Sequence, residues 1–523
     1  LGFQKKERLE RIQMLKDNGF LTEEFEQLLK KNENLPLETA NQMAENGIGT
    51  FALPFSVAPN FVIDEKDYAV PMVTEEPSVV AGCSYAAKII AKSGGFSTKI
   101  LDRKMIGQVA LYDILDFDNA ISMILENKNE ILKIANDAHP SIVARGGGAI
   151  NIEVKNIDEF LIVYLIADVK EAMGANILNT MLEAIKMPLE NITNGKSLMA
   201  ILSNYATESL VKAECEVNVK LLSSSMETSI ETAKKIELAS KFAKLDIYRA
   251  TTHNKGIFNG IDAVVIATGN DWRAIEAGGN AFAVKNGKYE GLTTWTFDES
   301  TNKLKGELTL PMPIASVGGS IGLNPSVKAA FNILGNPDAR TLASIITSVG
   351  LAQNFAAVKA LVTTGIQHGH MKLQARSLAL FAGAKGKEID IIVEKLLESG
   401  KSINLENVKA ILEKIKIVDE ILKAALNAII VQRQIIKSIL FEDAKGRIAN
   451  FLIELAKEQD LKQNGYHYIF LPFSLKVLSS FVGLKRQSAS TAFNELIKDD
   501  IIRKITPHEF LIIDYEKLES YTN

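Results

Sequence analysis

Residues 248–272 read YRATTHNKGIFNGIDAVVIATGNDW and place ionisable side chains around the apolar run 261–267. We expect a helix over residues 262–277 that carries Asp271 among apolar neighbours. A lysine beside a low-dielectric surface stays charged only if a carboxylate balances it, so we predict that Lys255 and Asp271 form a coupled pair. Residue types alone leave two interpretations open, a reactive site and a structural ion pair on a loop that starts a helix.

The composition indicates a globular protein of several domains. A chain of 523 residues, 47% hydrophobic and 23% charged, is too long for one ordinary core. Its formal charge of -4 leaves room only for a local basic patch on one domain. No run approaches the roughly 20 apolar residues of a membrane span, so we expect a cytoplasmic protein. Cys83 and Cys215 are isolated, which predicts buried free thiols and no zinc site.

Four separated motifs, in this order along the chain, resemble those of hydroxymethylglutaryl-CoA (HMG-CoA) reductases. Residues 248–272 are the third motif and resemble the region of that family's catalytic lysine and aspartate. The other three are EEPSVVAG at 75–82, EAMGANILNTM at 171–181 and GIQHGHM at 365–371. With TFALP at 50–54 and LPMPIASVGG at 310–319, the chain is most similar to the soluble bacterial class, class II. The resemblance runs to about residue 418.

The resemblance implies an α+β fold in which a large substrate-binding domain is interrupted by a smaller one. The large domain would comprise residues 1–100 and 204–364, and a mobile helical C-terminal flap residues 365–418. Residues 101–203 follow the order strand, helix, strand, strand, helix, strand, which predicts a ferredoxin-like sandwich. In the resembling enzymes this inserted domain binds the nicotinamide dinucleotide. The chain has no Rossmann GxGxxG in a strand–helix–strand setting, so that fingerprint does not find the cofactor site.

The implied activity is the two-step hydride reduction of HMG-CoA to mevalonate and CoA, in the mevalonate (isoprenoid) pathway, without a metal. By motif position, Lys255 would stabilise the substrate's carbonyl oxygen as it becomes negative during hydride attack. Glu76 would supply a proton as mevaldehyde becomes mevalonate. Asp271 would keep Lys255 charged, and His370 would protonate the departing CoA thiolate. Two adjacent carboxylates cannot share one face of a strand, so we expect one of Glu75 and Glu76 to be solvated while the other enters a pocket. By motif position the second is Glu76.

The substrate side of the site also follows from the motifs. The substrate's free carboxylate needs a cation, and Arg249 fits that role. The further substrate-binding candidates are Ser78, Asn204 and Asn259. The ligands would be HMG-CoA, mevalonate and CoA, and the enzyme would be a homodimer or larger with shared active sites. The opposite direction, NAD-dependent oxidative degradation of mevalonate, uses the same residues and is an alternative.

The cofactor candidates lie in two parts of the inserted domain. They are Met173, Gly174, Asn176, His139 and Arg145. The first three belong to EAMGAN at 171–176, which resembles the family's cofactor-contacting DAMGAN. In NAD enzymes an acidic side chain accepts a hydrogen bond from the ribose 2′-hydroxyl. Here His139 occupies the position of that acid, and Arg145 can pair with the 2′-phosphate of NADPH. We therefore favour NADPH over NADH; an alignment shifted by two residues would bring in Asp137 and reverse the choice.

Beyond residue 418 the chain departs from that family. Residues 419–523 begin with a long helical pattern and end in a segment that resembles the winged helix-turn-helix of cyclic-AMP receptor/FNR-type regulators. Residues 475–481 would be the first helix, Gly483 the turn and 485–496 the recognition helix, whose early side chains face base edges. The DNA-binding candidates are Arg486, Gln487, Ser488 and Ser490 on base edges and Lys485 on phosphate. Three interpretations stay open: a fusion that makes the chain a DNA-binding regulator, an artificial join of two genes, and a dimerisation tail that does not bind DNA.

Overall fold

The computed structural model describes residues 2–285, 287–319, 321–363, 366–400 and 402–522, without the side chains of 366–373, 431, 434–435 and 437–441. The chain divides into two units, Leu1–Leu373 and Gln374–Asn523, which are described separately below.

Three short helices open the first unit and pack on its core. They are α1 (Arg8–Asp17), α2 (Glu23–Lys31) and α3 (Leu37–Met43). Ile12 and Leu15 of α1 are buried together with Ala69 and Ile333 of the large domain. The next elements are β1 (Phe55–Ile63), β2 (Lys66–Val73), α4 (Val79–Ala91) and β3 (Phe96–Ile100). Strands β1 and β2 form an antiparallel hairpin whose two turn residues both have positive φ, as in a type I′ turn.

The inserted domain has the predicted strand and helix order. Its elements are β4 (Met105–Tyr112), α5 (Phe117–Glu126), α6 (Lys128–Asp137), α7 (Pro140–Ala144), β5 (Gly148–Ile157), β6 (Phe160–Asp168), α8 (Ala175–Thr193) and β7 (Lys196–Leu202). The antiparallel sheet runs β5-β6-β4-β7, which is the ferredoxin-like order. Leu178, Met181 and Leu182 of α8 are buried with Val109 and Val163 of the sheet in a core of this domain's own. The predicted first helix is broken at Asn127, whose side chain donates to the Met123 carbonyl.

The rest of the first unit completes the large domain. Its elements are β8 (Leu210–Asn218), α9 (Met226–Leu245), α10 (Ile247–Ala267), α11 (Trp272–Phe282), β9 (Val284–Lys285), β10 (Lys288–Tyr289), β11 (Thr293–Asp298), β12 (Lys303–Pro311), α12 (Pro325–Ile333) and α13 (Ala339–Val362). The large sheet has six strands in the order β11-β12-β8-β3-β1-β2. Helices α4, α10 and α13 bury Cys83, Phe258 and Phe355 in its core. Both cysteines are buried free thiols, as predicted.

Helix α13 is the most apolar long helix in the described part of the chain. Its length and composition would allow it to cross a membrane. However, 67% of its most apolar window is buried inside the protein, which is typical of a core helix. Close packing with α10 supports that role, because a Cβ at Gly260 would lie 2.9 Å from the Gln353 Cβ.

Helix α14 (Ile366–Phe381) spans the division between the units, and the second unit continues from it. The further elements are α15 (Lys387–Glu398), α16 (Leu405–Phe441), α17 (Ala444–Gln459), β13 (Leu461–Gln463), β14 (Tyr466–Phe470), α18 (Leu475–Phe481), α19 (Arg486–Lys498), β15 (Ile502–Lys504), β16 (Glu509–Ile512) and α20 (Tyr515–Glu519). The winged helix-turn-helix is confirmed, with Gly483 at φ 63° between α18 and α19. The predicted long helix ends at Phe441, because Asp443 caps α17 by accepting from Gly446 N at 2.7 Å.

Candidate active site

Helix α10 presents Lys255 and Asn259 to Glu76 from one face. The two residues are four apart, which places their side chains one turn from each other. The Lys255 ammonium pairs with Glu76 Oε2, and Asn259 Nδ2 donates to Glu76 Oε1 at 3.1 Å. Both carboxylate oxygens are therefore engaged by α10. The Lys255 side chain keeps 58% of its exposure, so its ammonium also faces open space that a substrate oxygen can enter.

The placement of α10 follows from its cap and its buried face. Asp246 caps the helix by accepting from Arg249 N at 2.7 Å. Ile257, Phe258 and Ile261 are buried in the large core, and they fix the rotation of the helix about its axis. The opposite face, with Lys255, is left at the surface. An amphipathic helix on a packed sheet therefore sets where the ammonium lies.

The loop between β2 and α4 brings Glu76 to this face. Glu75 is exposed and Glu76 is half-buried, as predicted for adjacent carboxylates. Glu76 N donates to Thr74 Oγ1 at 3.2 Å, which tightens the loop. Ser78 has φ 77° at the N-terminus of α4, and its side chain forms no cap hydrogen bond. A non-glycine residue in the left-handed region is strained, and such strain is found most often at functional sites.

Asp271 does not pair with Lys255, so the predicted coupled pair is not formed. The predicted helix over 262–277 is also wrong, because α10 ends at Ala267 and α11 begins at Trp272. Gly269 adopts φ 66° in the break between them. Asp271 caps α11 by accepting from Ala274 N at 3.2 Å, and it pairs with the Arg273 guanidinium at 3.3 Å. Its carboxylate therefore lies at a helix N-terminus, where negative charge is stabilised.

The remaining candidates, Arg249, Asn204 and His370, differ in how exposed they are and in how much of them the structure describes. Arg249 is half-buried, burial lowers the pKa of its guanidinium, and it forms no ion pair with the residues that the structure describes. An unpaired cation of this kind suits a substrate carboxylate. Asn204 is exposed beside α11, since a Cβ at Gly278 would lie 2.5 Å from its carbonyl oxygen. His370 belongs to α14, and its side chain lies outside the described residues.

His253 is a structural histidine in a buried polar network. Its Nε2 lies 2.6 Å from Thr293 Oγ1 and 3.1 Å from Asn354 Nδ2. Asn354 Oδ1 also accepts from Trp295 Nε1 at 2.9 Å. Burial, with the cations Arg249 and Lys244 nearby, lowers the pKa of His253 to about 3. The ring is therefore neutral at ordinary pH and joins α10 to β11 and α13.

Asp262 and Glu276 form a second carboxyl pair near the site, which sequence reasoning missed. Asp262 lies one turn beyond Asn259 on α10, close to the Glu276 carboxylate of α11, and its Oδ1 is buried without a hydrogen-bond partner in the described structure. Burial and the neighbouring Glu276 carboxylate raise the pKa of Asp262 to about 8. The signal available in the sequence was an aspartate inside the apolar run GIDAVVIA, where an unpaired acid is costly.

The pair predicts a loss of stability in alkali that Asp262→Asn relieves. An unfolded aspartate has a pKa of about 3.9, so the folded state retains a proton that the unfolded chain releases. The stability linked to this proton is fully present below about pH 4 and is lost as the pH rises through about 8. We expect the unfolding temperature of the variant to exceed that of wild type above about pH 8, by a few degrees. Scanning calorimetry across pH, with exposed Asp118→Asn as control, checks this; parallel curves for wild type and Asp262→Asn would contradict it.

The two groups of cofactor candidates are brought together. Gly174 has φ 97° and caps α8, with Asn176 in the first turn of that helix. His139 and Arg145 flank the short helix α7. The glycine turn after Arg145 packs on the strand that leads to Gly174, because a Cβ at Gly147 would lie 2.5 Å from the Asp168 carbonyl oxygen. Met173 lies half-buried beside Gly174.

The recognition helix α19 presents its first turn to solvent. Lys485 is the N-cap residue rather than the first helical residue, and residues 485–488 are exposed. Ser490 is half-buried, and the inner face is closed by Ala489 and Phe493 in the core of this module. Arg486, Gln487 and Ser488 are thus available on the surface, as the winged helix-turn-helix interpretation requires.

Comparison with known proteins finds similarity in both parts of the chain. Residues 7–375 match the family described as hydroxymethylglutaryl-coenzyme A reductase, and residues 446–521 match the Crp-like helix-turn-helix domain. The HMG-CoA reductase of Archaeoglobus fulgidus is 44% identical over 420 residues, which is 79% of this chain and 94% of that protein. A probable HMG-CoA reductase of Borreliella burgdorferi is 33% identical over 427 residues, 80% of this chain and 96% of that protein. A solved class II reductase of Streptococcus pneumoniae, bound to NADPH in open conformations, is 55% identical with a TM-score of 0.69, covering 69% of this chain and 99% of that one.

Proposed function

This chain belongs to the hydroxymethylglutaryl-coenzyme A reductase family, and we propose that it reduces HMG-CoA with NADPH at the site formed by Glu76, Lys255 and Asn259. The observation that carries the proposal is the convergence of an ammonium and an amide on one carboxylate at an open surface. This arrangement places a cation beside a carboxyl group, which can donate a proton once it has taken one up. A carbonyl that gains a hydride needs both, because negative charge builds on its oxygen and is then neutralised.

The residues would act in the following way. The Lys255 ammonium stabilises the oxygen of the thioester as it becomes negative, and Glu76 supplies a proton as mevaldehyde becomes mevalonate. Asn259 holds the Glu76 carboxyl in place. His370 protonates the CoA thiolate, which prevents the thiolate from adding back to the aldehyde. Asp271 would keep the ammonium charged, and since it does not contact Lys255 here, this influence acts over a longer distance.

The substrate would be held at its other end by the large domain. Arg249 receives the free carboxylate of the substrate, because its guanidinium has no carboxylate partner in the described residues. Ser78 and Asn204 contribute hydrogen bonds from either side of the site. A buried carboxylate–guanidinium contact fixes the orientation of the substrate as well as adding affinity.

The inserted domain has a backbone that suits a dinucleotide. Gly174 leads into the N-terminus of α8, which can receive a phosphate. Gly148 has φ 116°, and a Cβ there would lie 2.3 Å from Asn136 Oδ1, so only glycine fits this turn. NADPH supplies the hydride when it is bound. The exposed Arg145 supports NADPH over NADH, since it can pair with the 2′-phosphate.

Turnover of the purified full-length protein tests the cofactor preference. With HMG-CoA and equal concentrations of NADPH or NADH, we expect kcat/KM to be roughly tenfold or more higher with NADPH. Arg145→Ala should lower the NADPH value alone, whereas Lys155→Ala, which removes an exposed cation of the same domain, should change neither value. A preference for NADH in wild type would contradict the proposal and favour oxidative mevalonate degradation.

We also propose that the protein is a homodimer. Helix α9 exposes Leu238, Phe242 and Leu245, which follow one helical stripe, and Tyr248 beside them is 85% exposed. An exposed apolar stripe of this size is typical of an interface between proteins. A second copy of this chain can cover the stripe and place its own residues beside the site. A monomer in sedimentation equilibrium at micromolar concentration would contradict this proposal.

DNA binding is the second candidate function, and the exposed first turn of α19 favours it. At low salt we expect the protein to bind a duplex of about 30 base pairs, which is long enough for two half-sites one helical turn apart. Replacing Lys485 with alanine should reduce the slope of log affinity against log salt by about 1, since one phosphate contact is lost. Lys457→Ala, a cation of the same module on α17, serves as control. Fluorescence anisotropy measures both quantities, and an unchanged slope would reject α19 as the binding element.

A further inference from the structure

Arg103 is a buried arginine in the segment that connects the large domain to the inserted domain. It follows β3 and precedes β4, and it is 7% exposed. Its Nη2 donates to the Ile314 carbonyl at 2.6 Å and to the Ala172 carbonyl at 3.3 Å. One guanidinium therefore joins the segment after β12 to residues 169–174, here named the cofactor loop.

Glu171 makes a second connection from the cofactor loop to the large domain. Its Oε2 accepts from Ser316 Oγ at 2.5 Å and from Ala339 N at 2.7 Å. Its backbone carbonyl also accepts from Ser316 N at 3.0 Å. Ala339 is the first residue of α13, so the carboxylate lies at the N-terminus of the central core helix, where negative charge is stabilised. The first residue of EAMGAN thus faces the large domain.

The two connections act on the same buried charges. Burial lowers the pKa of the Arg103 guanidinium, and the nearby Glu171 carboxylate opposes that change. The Arg103 Nε is buried without a hydrogen-bond partner among the described residues. A buried cation without full hydrogen bonding is costly, and the Glu171 charge offsets part of that cost. Removal of either Arg103 or Glu171 therefore weakens the connection that the other makes between the cofactor loop and the large domain.

The cofactor loop ends at Gly174, which sets the start of α8. A Cβ at Gly174 would lie 2.4 Å from Val169 Cγ1, so the loop is closely folded on itself. A displacement of the loop would therefore move the N-terminus of α8 relative to Lys255 in the large domain. Hydride transfer is sensitive to such a displacement, because a misplacement of about 1 Å can cost about 100-fold in rate.

We propose that Arg103 and Glu171 are positioning residues that hold the cofactor loop against the large domain. The bound nicotinamide dinucleotide is thereby placed correctly relative to the substrate. The proposal rests on the proposed function of the inserted domain. It assigns Glu171 to the contact between domains rather than to contact with the cofactor. Neither residue touches the reacting atoms, so the effect passes through the loop.

The test compares KM for NADPH with KM for HMG-CoA in Arg103→Lys and Glu171→Gln. Lysine keeps the charge but cannot reproduce the planar donor group, and glutamine removes the charge that faces Arg103. We expect KM for NADPH to rise roughly tenfold in each variant while KM for HMG-CoA stays within about twofold. Lys99→Met is the matched control, because Lys99 is an exposed lysine on β3, four residues before Arg103. Both its KM values should match wild type.

Direct titration with NADPH, followed by fluorescence, separates this inference from the proposed function. A wild type that binds NADPH but does not oxidise it with HMG-CoA would count against the proposed reaction, and the variants would still decide the present inference. Equal changes in both KM values, or no change in either, would overturn it. If Arg103→Lys does not fold, Ser316→Ala removes a single hydrogen bond of the same network and should weaken NADPH binding by roughly threefold. Unchanged binding in that variant would also overturn the inference.

Discussion

Lys255→Ala is expected to lower kcat by roughly 10²- to 10³-fold, with a smaller change in KM for HMG-CoA. The ammonium stabilises charge that develops only as hydride arrives, so its loss raises the barrier more than it weakens substrate binding. Asn259 would still hold Glu76 Oε1, which keeps the carboxyl near its place. Steady-state kinetics with saturating NADPH measures the effect.

The control for this variant is Lys196→Ala on β7. That substitution makes the same change in net charge, and Lys196 forms a surface ion pair with Asp113 at 2.8 Å. It should turn over at the wild-type rate, because exposed pairs contribute little. Normal turnover in Lys255→Ala would remove the central group from the proposed chemistry. Equal losses in both variants would point to a general effect of charge.

Glu76→Gln is expected to reduce turnover by roughly 10²- to 10⁴-fold, the range for loss of a general acid. Glutamine has the same shape and can still contact Asn259 and Lys255, but it cannot release a proton to the substrate. The loss should therefore appear in kcat, while NADPH binding is unchanged. Mevaldehyde offered as substrate isolates the second reduction, and its turnover should fall as well.

Glu75→Gln provides the matched control for the adjacent carboxylate. Glu75 is exposed, whereas Glu76 is engaged at both oxygens. Its amide variant should retain turnover within about twofold, since surface substitutions of this kind have small effects. A large loss in Glu75→Gln with a small loss in Glu76→Gln would exchange the roles of the two residues.

The sequence predicted the features that depend on local pattern. The adjacent carboxylates predicted that one of Glu75 and Glu76 would be solvated and the other enclosed. The motif indicated Glu76 as the enclosed one, and the structure has this arrangement. The order of strands and helices predicted the ferredoxin-like insertion, because each element has its own hydrophobic period. The resemblance to cyclic-AMP receptor/FNR-type regulators predicted the helix-turn-helix, with Gly483 at its turn. These features need no knowledge of distant contacts.

Features that depend on distant contacts were not predicted. The apolar residues continue the helical pattern as far as Ala267, and the prediction missed that the helix ends at Thr268 and Gly269 before Asp271 caps α11. Glu171 contacts Ser316, which is 145 residues away in the chain. The Asp262 and Glu276 pair requires two helices to pack with their acids facing each other. Periodicity describes one element at a time and therefore misses such pairings.

Product analysis of the wild-type reaction tests the central claim most directly. HMG-CoA and NADPH are incubated with the full-length protein, and mevalonate, free CoA and NADP⁺ are measured together. The proposed chemistry predicts one mevalonate and one CoA for every two NADPH oxidised, with no product from Lys255→Ala above roughly one per cent of wild type. Release of CoA without mevalonate, or mevalonate formation that does not need Lys255, would contradict it.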